Sequence, residues 1–441
     1  MSTVVVDSVA SKSGAPVNFP NGLTIGEGGK FGNINFIGLA GQQGFGVGIC
    51  PAIPANFAKM PGTDDIASDN YGNYQYSDGS VMVWMPAFYY KYGTGSNGLA
   101  INDVDIKGFY DYENVASANA AGYALHRAFY NGGAIQLGVF VDKYLCSDNG
   151  GIASSIKLGN PLSSNSAHNP FSLVGAANFY YGAIDAAKSR GSDFFCNTQF
   201  IFKALALLSL AHGQAASSIA SCAWYDAGGI TNFPKGCNDN ALGDTNDGDL
   251  SFISDGYSNA AKTGSANLFA RTTHNGMNSG VCDLNGSMWE IALGLTADAT
   301  NFYLLSTATD VKTITSGAAL ATDAWGATGL AAMYDDLGVT YESLENTVAN
   351  RSFGGVTQVL SEATSSIDWS AAGAGIPLLA GIGGTNQFGN DYMYDKRPDT
   401  MCPLLGGSWA HAASAGVWAL GLSNVRSTSG YGVGLRAALY L

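Results

Sequence analysis

Charged residues are scarce in this chain, and positive charge is the scarcer sign. Only 12% of the 441 residues are charged, with 20 Lys and Arg against 34 Asp and Glu and a net charge of −14. An average soluble protein has about 25% charged residues. No run of Lys or Arg supplies a basic patch. Because an acidic surface repels phosphate groups, we expect no nucleic-acid partner.

Long hydrophobic segments are also missing. The most apolar stretch, 199–211, is interrupted by Lys203 and is too short to cross a bilayer. The N-terminal residues MSTVVVDSVASKSG contain neither a basic region nor an adequate apolar region. We therefore predict no signal peptide, synthesis in the cytoplasm and no insertion into a membrane.

Catalytic and metal motifs are not found. The seven cysteines include no CxxC pair, and the five histidines are widely separated. No G-x-S-x-G, H-E-x-x-H or G-x-x-x-x-G-K-[ST] sequence occurs. We predict buried free thiols, with one disulfide left as an alternative, and no catalytic residue.

One acidic segment is a candidate metal site. Asp244, Asn246 and Asp249 bring several oxygen ligands together in a short stretch, and Ca²⁺ prefers such ligands on flexible loops. The spacing lacks the closing glutamate of an EF-hand, and a solvated loop of Asx turns explains the same residues. Bound Ca²⁺ stays open as an alternative, and no other cofactor is predicted.

Glycine and aromatic residues are abundant, with 59 Gly, 22 Tyr and 21 Phe. Low charge with many aromatic residues is the opposite of the signature of disorder, and many turn residues favour β structure with long loops. Residues 1–80 contain short β-like runs at 3–6, 23–25, 34–37 and 45–49. They are too short for an independent sandwich, so we predict a small β-rich module that is stabilised by association with other copies.

The remainder, 81–441, predicts a larger domain. Strands are predicted at 81–92, 135–144, 303–307, 311–315 and 433–441, and helices at 116–129 and 198–212. In the second helix, Thr198 is expected to cap the start and Gly213 to end it. This helix is apolar nearly all round and is expected in a core. The last strand is expected to lie in a sheet.

Two segments resemble a known fold family. The first is GVCDLNGSMWE at 280–290, and the second joins GGSW at 406–409 to AGVWAL at 415–420 and GLRAA at 434–438. Both are similar to stretches of the formylglycine-generating-enzyme-like branch of the C-type lectin fold. The resemblance implies an α+β protein with a C-type lectin-like domain at 81–441, preceded by the β-rich module at 1–80.

The matched motifs also imply which residues hold the scaffold. The tryptophans need hydrogen-bond partners if buried, and the two glycines permit close backbone approach. The scaffold residues are Trp289, Gly406, Gly407, Trp409, Trp418 and Arg436. The enzymes of this branch use a pair of cysteines in the C-terminal part. Here 403–441 has no cysteine and Cys402 stands alone, so oxidase activity is the least favoured alternative.

The chain is more similar to the variable proteins of diversity-generating retroelements, which include phage tail-fibre tip adhesins. In that family, template Asn codons become NNY codons, which never encode Lys, Glu, Gln, Met or Trp. Lys, Glu, Gln and Met are absent from 406–441, the implied variable region. The open positions are all NNY-compatible: Ser408, Ala410, His411, Ser414, Gly421, Ser423, Asn424, Thr428, Gly430, Tyr431 and Gly432. A Gly/Ser/Ala-rich surface loop is the competing interpretation.

The resemblance implies a hypervariable receptor-binding protein at the tip of a phage tail fibre. Its virion location agrees with synthesis in the host cytoplasm. The eleven positions would bind a host-cell receptor, protein or glycan, with Tyr431 and His411 as the strongest contacts. The run at 69–84 is similar to N-terminal parts of such phage proteins and implies attachment to tail or fibre proteins, and relatives imply a homotrimer. A surface-displayed cellular binding protein and a purely structural fibre subunit remain alternatives.

Overall fold

The computed structural model describes residues 37–93, 95–100, 103–225, 233–298, 300–316, 330–340, 350–352, 391–394 and 400–441. All of them belong to one compact unit, Asn35–Leu441. This part of the chain is mostly β-sheet with few helices. The predicted runs 3–6, 23–25 and nearly all of 34–37 lie outside the described residues.

The strands are short and spread along the whole unit. Up to residue 200 they are β1 (Phe57–Lys59), β2 (Asn73–Tyr76), β3 (Val81–Pro86), β4 (Phe88–Tyr92), β5 (Val104–Gly108), β6 (Ala124–Leu125), β7 (Tyr130–Asn131), β8 (Ala134–Ile135), β9 (Gly138–Asp142), β10 (Cys146–Asp148), β11 (Ala153–Ser155) and β12 (Phe195–Cys196). Beyond it they are β13 (Gly243–Asp244), β14 (Asp247–Ser251), β15 (Trp289–Ile291), β16 (Leu295–Ala297), β17 (Asn301–Leu305), β18 (Tyr334–Thr340), β19 (Asn350–Ser352), β20 (Tyr392–Tyr394), β21 (Met401–Leu405), β22 (Leu420–Val425), β23 (Val433–Gly434) and β24 (Ala437–Leu439). The α-helices are α1 (Val115–Ala120), α2 (Gly182–Lys188) and α3 (Gln199–Ala215).

The central sheet has the order β1-β2-β3-β9-β24-β12, with antiparallel neighbours throughout. The predicted strands at 81–92 and 135–144 are confirmed. The first forms β3 of this sheet and β4 of a separate three-stranded sheet, and the second forms β9. The last strand, β24, lies between β9 and β12, with Leu439 opposite Phe140 and Ala438 opposite Phe195. The C-terminal segment is thus built into the middle of the sheet, as predicted.

The predicted domain boundary at residue 80 falls inside this sheet. Asn73 of β2 pairs with Val83 of β3, so residues on both sides of the boundary share one ladder. The compact unit starts at Asn35 instead. Residues 37–80 therefore fold as part of the larger domain, because their short strands complete its sheet.

A second sheet carries the segments that resemble the fold family. Its order is β19-β20-β22-β21-β15-β23, with parallel pairs β20·β22 and β15·β23. Glu290 of β15 faces Leu405 of β21 on one side and Gly434 of β23 on the other. The two motif segments are therefore neighbours in one sheet.

Helix α3 is buried along nearly its whole length, as predicted. The Thr198 hydroxyl accepts a hydrogen bond from the Ile201 amide at 3.2 Å, which confirms the predicted cap. The helix does not end at Gly213 but continues to Ala215. Packing around the last turn outweighs the local preference of glycine.

Three local predictions are wrong or only partly right. The segment at 45–49 forms no strand, and 311–315 forms a 3₁₀ turn at Val311–Thr313 because the Asp310 carboxylate accepts from the Lys312 amide. The predicted helix at 116–129 is limited to α1 and a 3₁₀ turn at Arg127–Phe129. In these segments, hydrogen bonds from short polar side chains to the backbone determine the secondary structure more than the apolar patterns do.

Two buried ion pairs lie beside the C-terminal strand, one at Asp142 of the central sheet and one at Glu290 of the second sheet. Arg190 Nη1 donates to Asp142 Oδ1 at 2.6 Å, while Asp142 Oδ2 accepts from the Ala437 amide. Arg436 Nε and Nη2 donate to the two carboxylate oxygens of Glu290 at 3.0 and 2.8 Å. Removing one partner of such a pair leaves a charge buried without compensation.

All seven cysteines are buried free thiols, so the predicted state is confirmed and the alternative disulfide is not formed. Within the described ranges, no helix is long and apolar enough to span a bilayer.

Candidate functional site

The predicted binding positions fall on two loops and the strand between them. The first loop, 406–419, follows β21, and the second loop, 426–432, joins β22 to β23. Trp409 of the first loop lies beside Tyr431 of the second, with ring centroids 5.9 Å apart. The two loops therefore form one continuous surface at this end of the second sheet.

The eleven predicted positions differ in exposure. Ala410, Ser423 and Tyr431 are exposed, and the Tyr431 residue keeps 50% of its accessible surface. Six are half-buried: His411, Ser414, Asn424, Thr428, Gly430 and Gly432. Ser408 and Gly421 are buried, so a ligand would not reach their side-chain positions directly.

An aromatic cluster surrounds Tyr431. Its ring lies 6.0 Å from that of Tyr257, which stacks on His168 with a centroid separation of 4.1 Å and an interplanar angle of 15°. Trp409 meets His168 edge-on from another side. Tyr257 and His168 were not among the predicted residues, because their proximity to Tyr431 arises only when the loops fold together.

His168 connects this cluster to a buried carboxylate. Its Nδ1 donates to the Tyr431 carbonyl at 2.8 Å, and its Nε2 lies 2.6 Å from Asp255 Oδ2. A backbone carbonyl can only accept, so Nδ1 is the donor in the contact with Tyr431. Both side chains are almost fully buried. His168 therefore fixes the position of the Tyr431 main chain from the buried side of the second loop.

The main chain of the second loop is held by residues that lie outside the implied variable region. The Tyr180 and Trp289 amides donate to the carbonyls of Thr428 and Gly432, the Gly430 amide donates to Ser164 Oγ, and His168 donates to the carbonyl of Tyr431, all at 2.8–2.9 Å. None of these bonds uses a side chain of the second loop. Side chains on this loop can therefore change while its backbone anchors stay in place.

Glycines at the predicted variable and scaffold positions differ in backbone conformation. Gly406 and Gly407 have φ of 85° and 83°, which side-chain-bearing residues rarely adopt. A Cβ on Gly407 would also lie 2.6 Å from the Cβ of Ala415. Gly421, Gly430 and Gly432 have no such positive φ. The scaffold positions thus require glycine for their backbone conformation. The backbone at 421, 430 and 432 allows other residues, although a Cβ on Gly430 would lie 2.9 Å from Val433 Cγ2.

His411 is held in the first loop by two partners. Trp289 Nε1 donates to His411 Nε2 at 3.3 Å, and His411 Nδ1 lies 2.9 Å from Ser408 Oγ. Burial lowers the pKa of His411, so the ring is neutral near pH 7. The imidazole supports the loop and presents only part of its surface to solvent.

The scaffold residues named from the resemblance are all buried. Trp418, in the first loop, is held through its main chain: Lys203 Nζ donates to its carbonyl and its amide donates to Asp391 Oδ2, each at 2.9 Å. The loop is thus fixed to α3 by the buried Lys203 side chain and to the chain at 391 by the buried Asp391 side chain.

No family model and no curated protein matches this chain. It is similar to solved structures of the Major Tropism Determinant. The I1 and M1 variants match with a TM-score of 0.29 and 11% identity over 82% of this chain and 63% of theirs. The U1 variant matches with a TM-score of 0.28 and 11% identity over 83% of this chain and 65% of its own. The chain thus spans under two thirds of those structures, and such TM-scores do not establish a common fold. The C-type lectin-like domain stays a prediction.

The candidate calcium ligands already have partners within the protein. Asp244 is buried, accepts from the Asn246 amide at 2.8 Å and lies 3.8 Å from Lys235 Nζ. Asp249 is largely exposed, 3.9 Å from Arg271. Across the described ranges, no three His, Cys, Asp or Glu side chains converge as a metal site would require. Lys235 and Arg271 thus lie within ion-pair distance of this acidic segment.

Cys402, the residue on which the oxidase alternative depends, lies in β21. It is 1% exposed, and burial raises the pKa of its thiol well above the usual value. The nucleophilic thiolate is therefore disfavoured at this position.

Proposed function

We propose that this chain is a receptor-binding adhesin of a phage tail fibre, and that its two C-terminal loops present a diversified surface to a host-cell receptor. The anchoring of the second loop carries this proposal. Its backbone is fixed by residues at 164, 168, 180 and 289, outside the region expected to vary. A binding loop that changes its side chains needs this kind of independent support.

The glycine conformations support the same proposal. Gly406 and Gly407, which are expected to be constant, need glycine for their positive φ, whereas the backbone at 421, 430 and 432 is open to other residues. Gly430 is the restrictive case, because a Cβ there would lie 2.9 Å from Val433 Cγ2, while a Cβ on Gly421 would be in ordinary contact with Leu404 at 3.5 Å. We expect only small residues at 430 and free variation at the exposed positions 410, 423 and 431.

Sequencing of the gene across an unselected population of its source tests diversification. We expect substitutions at the eleven positions, most numerous at Ala410, Ser423 and Tyr431, and none at Gly407, Trp409 or Trp418. An invariant segment, or substitutions spread evenly over the buried residues, would contradict the proposal and favour a fixed-specificity adhesin or a structural subunit.

Binding is tested separately with the labelled full-length chain and intact cells of bacterial isolates from the same source. For an isolate that binds the parent chain, Tyr431→Ala should weaken binding at least about tenfold, as loss of an aromatic hot spot does. Tyr110→Ala is the matched control, because Tyr110 is 53% exposed and lies outside the two loops. Equal binding by both variants, or no binding to any isolate, would count against a receptor-binding surface here.

A further inference from the structure

Arg426 differs from the other buried arginines of the described chain. Arg190 and Arg436 each pair with a carboxylate, and Arg127 donates to two backbone carbonyls. Arg426 is 3% exposed, and among the described residues its guanidinium has one hydrogen-bond partner, from Nη2 to Thr296 Oγ1 at 3.3 Å. Its Nη1 is buried, and no described residue accepts a hydrogen bond from it. A buried cation is costly without an opposite charge.

A small cavity lies against this guanidinium. Its volume is about 20 Å³, and its wall includes Arg426, Thr296, Tyr180 and Cys402, with no Asp or Glu among its described residues. One water needs about 10–15 Å³ of such space. The cavity therefore has room for a single particle little larger than water, and a free phosphate or sulfate ion is larger than this space.

The polar groups on the wall are already committed or are donors. The Thr296 hydroxyl donates to the Met401 carbonyl, and the Tyr180 hydroxyl donates to the Ala292 carbonyl. Cys402 stays a protonated thiol, since burial raises its pKa. The described wall thus offers a positive charge and weak donors, and none of its described residues carries a negative charge.

We propose that this cavity binds one monatomic anion, chloride under physiological conditions, against Nη1 of Arg426. Water would satisfy the hydrogen bond but not the charge, whereas a halide satisfies both. Site and loop are linked, because Arg426 lies in the turn after β22 and the Tyr180 amide holds the Thr428 carbonyl. Bound chloride would stabilise the base of the second loop.

Thermal unfolding of the full chain tests the site in solution. Chloride replaces gluconate at constant ionic strength. Each hundredfold increase in chloride concentration above the dissociation constant of the site should raise the Tm of the parent chain by about 3 °C. Arg426→Met should abolish this dependence. Arg271→Met should keep it, because Arg271 already pairs with Asp247 at 2.8 Å and lies outside the cavity. A chloride-independent parent Tm, or equal chloride dependence in Arg426→Met, would overturn the proposal.

Crystals of the unsubstituted chain soaked in bromide give a test that does not depend on the folding of a variant. An anomalous bromide peak within hydrogen-bonding distance of Arg426 Nη1 is expected. A water molecule at that place without anomalous signal, or a carboxylate of the chain against Nη1, would overturn the assignment.

Discussion

At the residue scale, backbone conformation separates positions that must be constant from positions that can vary. Gly407 combines a φ of 83° with close approach to Ala415, while Gly430 and Gly432 have no positive φ. The sequence predicts both groups as Gly-rich loop residues, and only the folded chain distinguishes them. The same limit explains why Ser408 and Gly421 were predicted as ligand contacts although both are buried.

Substitution of Gly407 should therefore be far more destabilising than substitution of an open glycine. Gly407→Ala places a Cβ at 2.6 Å from that of Ala415 in addition to the strain of positive φ. We expect a loss of about 3 kcal/mol in the free energy of unfolding, measured by urea denaturation. Gly79→Ala is the control, since Gly79 has a φ of 93° and nothing within 4 Å, and should cost about 1 kcal/mol. Similar losses in both variants would mean that the contact with Ala415 contributes nothing.

Buried His126 should give the protein a measurable acid sensitivity. Desolvation, with the adjacent Arg127, lowers the pKa of His126 from 6.5 to about 3. The unfolded chain takes up this proton as pH falls through about 6.5 and the folded chain does not, so stability present above this pH is lost below it. From pH 7.5 to 5.5 the loss from this residue is about 1.4 kcal/mol.

His126→Asn isolates this contribution, since the amide oxygen can replace Nδ1 as acceptor for the Ala128 amide. The variant is expected to lose about 1.4 kcal/mol less than the parent over the same pH range, whatever its absolute stability. Identical pH slopes from urea titrations would show that His126 titrates alike in folded and unfolded chains.

At the element scale, the elements that depend on local interactions could be predicted from the sequence. Helix α3 and its Thr198 cap, β3 and β9 were found from periodicity and capping. The 3₁₀ turn at Val311–Thr313 was missed because one carboxylate, Asp310, overrides an apolar alternation. The partners of the second loop could not be predicted at all, because His168 is 263 residues from Tyr431 in sequence. Such contacts leave no pattern in a single chain.

Loss of the His168 contacts should loosen the second loop. His168→Ala removes the donor to the Tyr431 carbonyl and the ring nitrogen that lies against the buried Asp255 side chain, so a loss of about 3 kcal/mol is expected. His168→Asn can keep a donor at the Nδ1 position and should lose less. Hydrogen exchange at Gly432 and neighbouring amides measures the loop directly. Unchanged exchange in His168→Ala would show that the other anchors suffice.

At the scale of the whole molecule, the central sheet joins segments from distant parts of the chain. Strands from 57–86, 138–142, 195–196 and 437–439 lie side by side in it. This non-local pairing explains why the predicted boundary at residue 80 did not correspond to a structural boundary. Sequence patterns indicate strands but not the order in which they pair.

Removal of residues 437–441 should prevent folding, because β9 and β12 would lose the strand between them. The expected result is an aggregated product without a cooperative melting transition. Deletion of Leu441 alone, which is 44% exposed, should leave the Tm within about 1 °C of the parent value. A soluble, cooperatively melting 1–436 chain would show that the sheet closes without β24.

The central position of β24 also has a consequence during translation. The ribosome must finish the implied variable region before the strand that completes the sheet can emerge. A frameshift or premature stop within that region removes this strand, so the faulty product cannot fold and becomes a substrate for proteases. Frame-shifted and truncated chains would thus be removed as unfolded protein, and only chains translated in frame to β24 would persist.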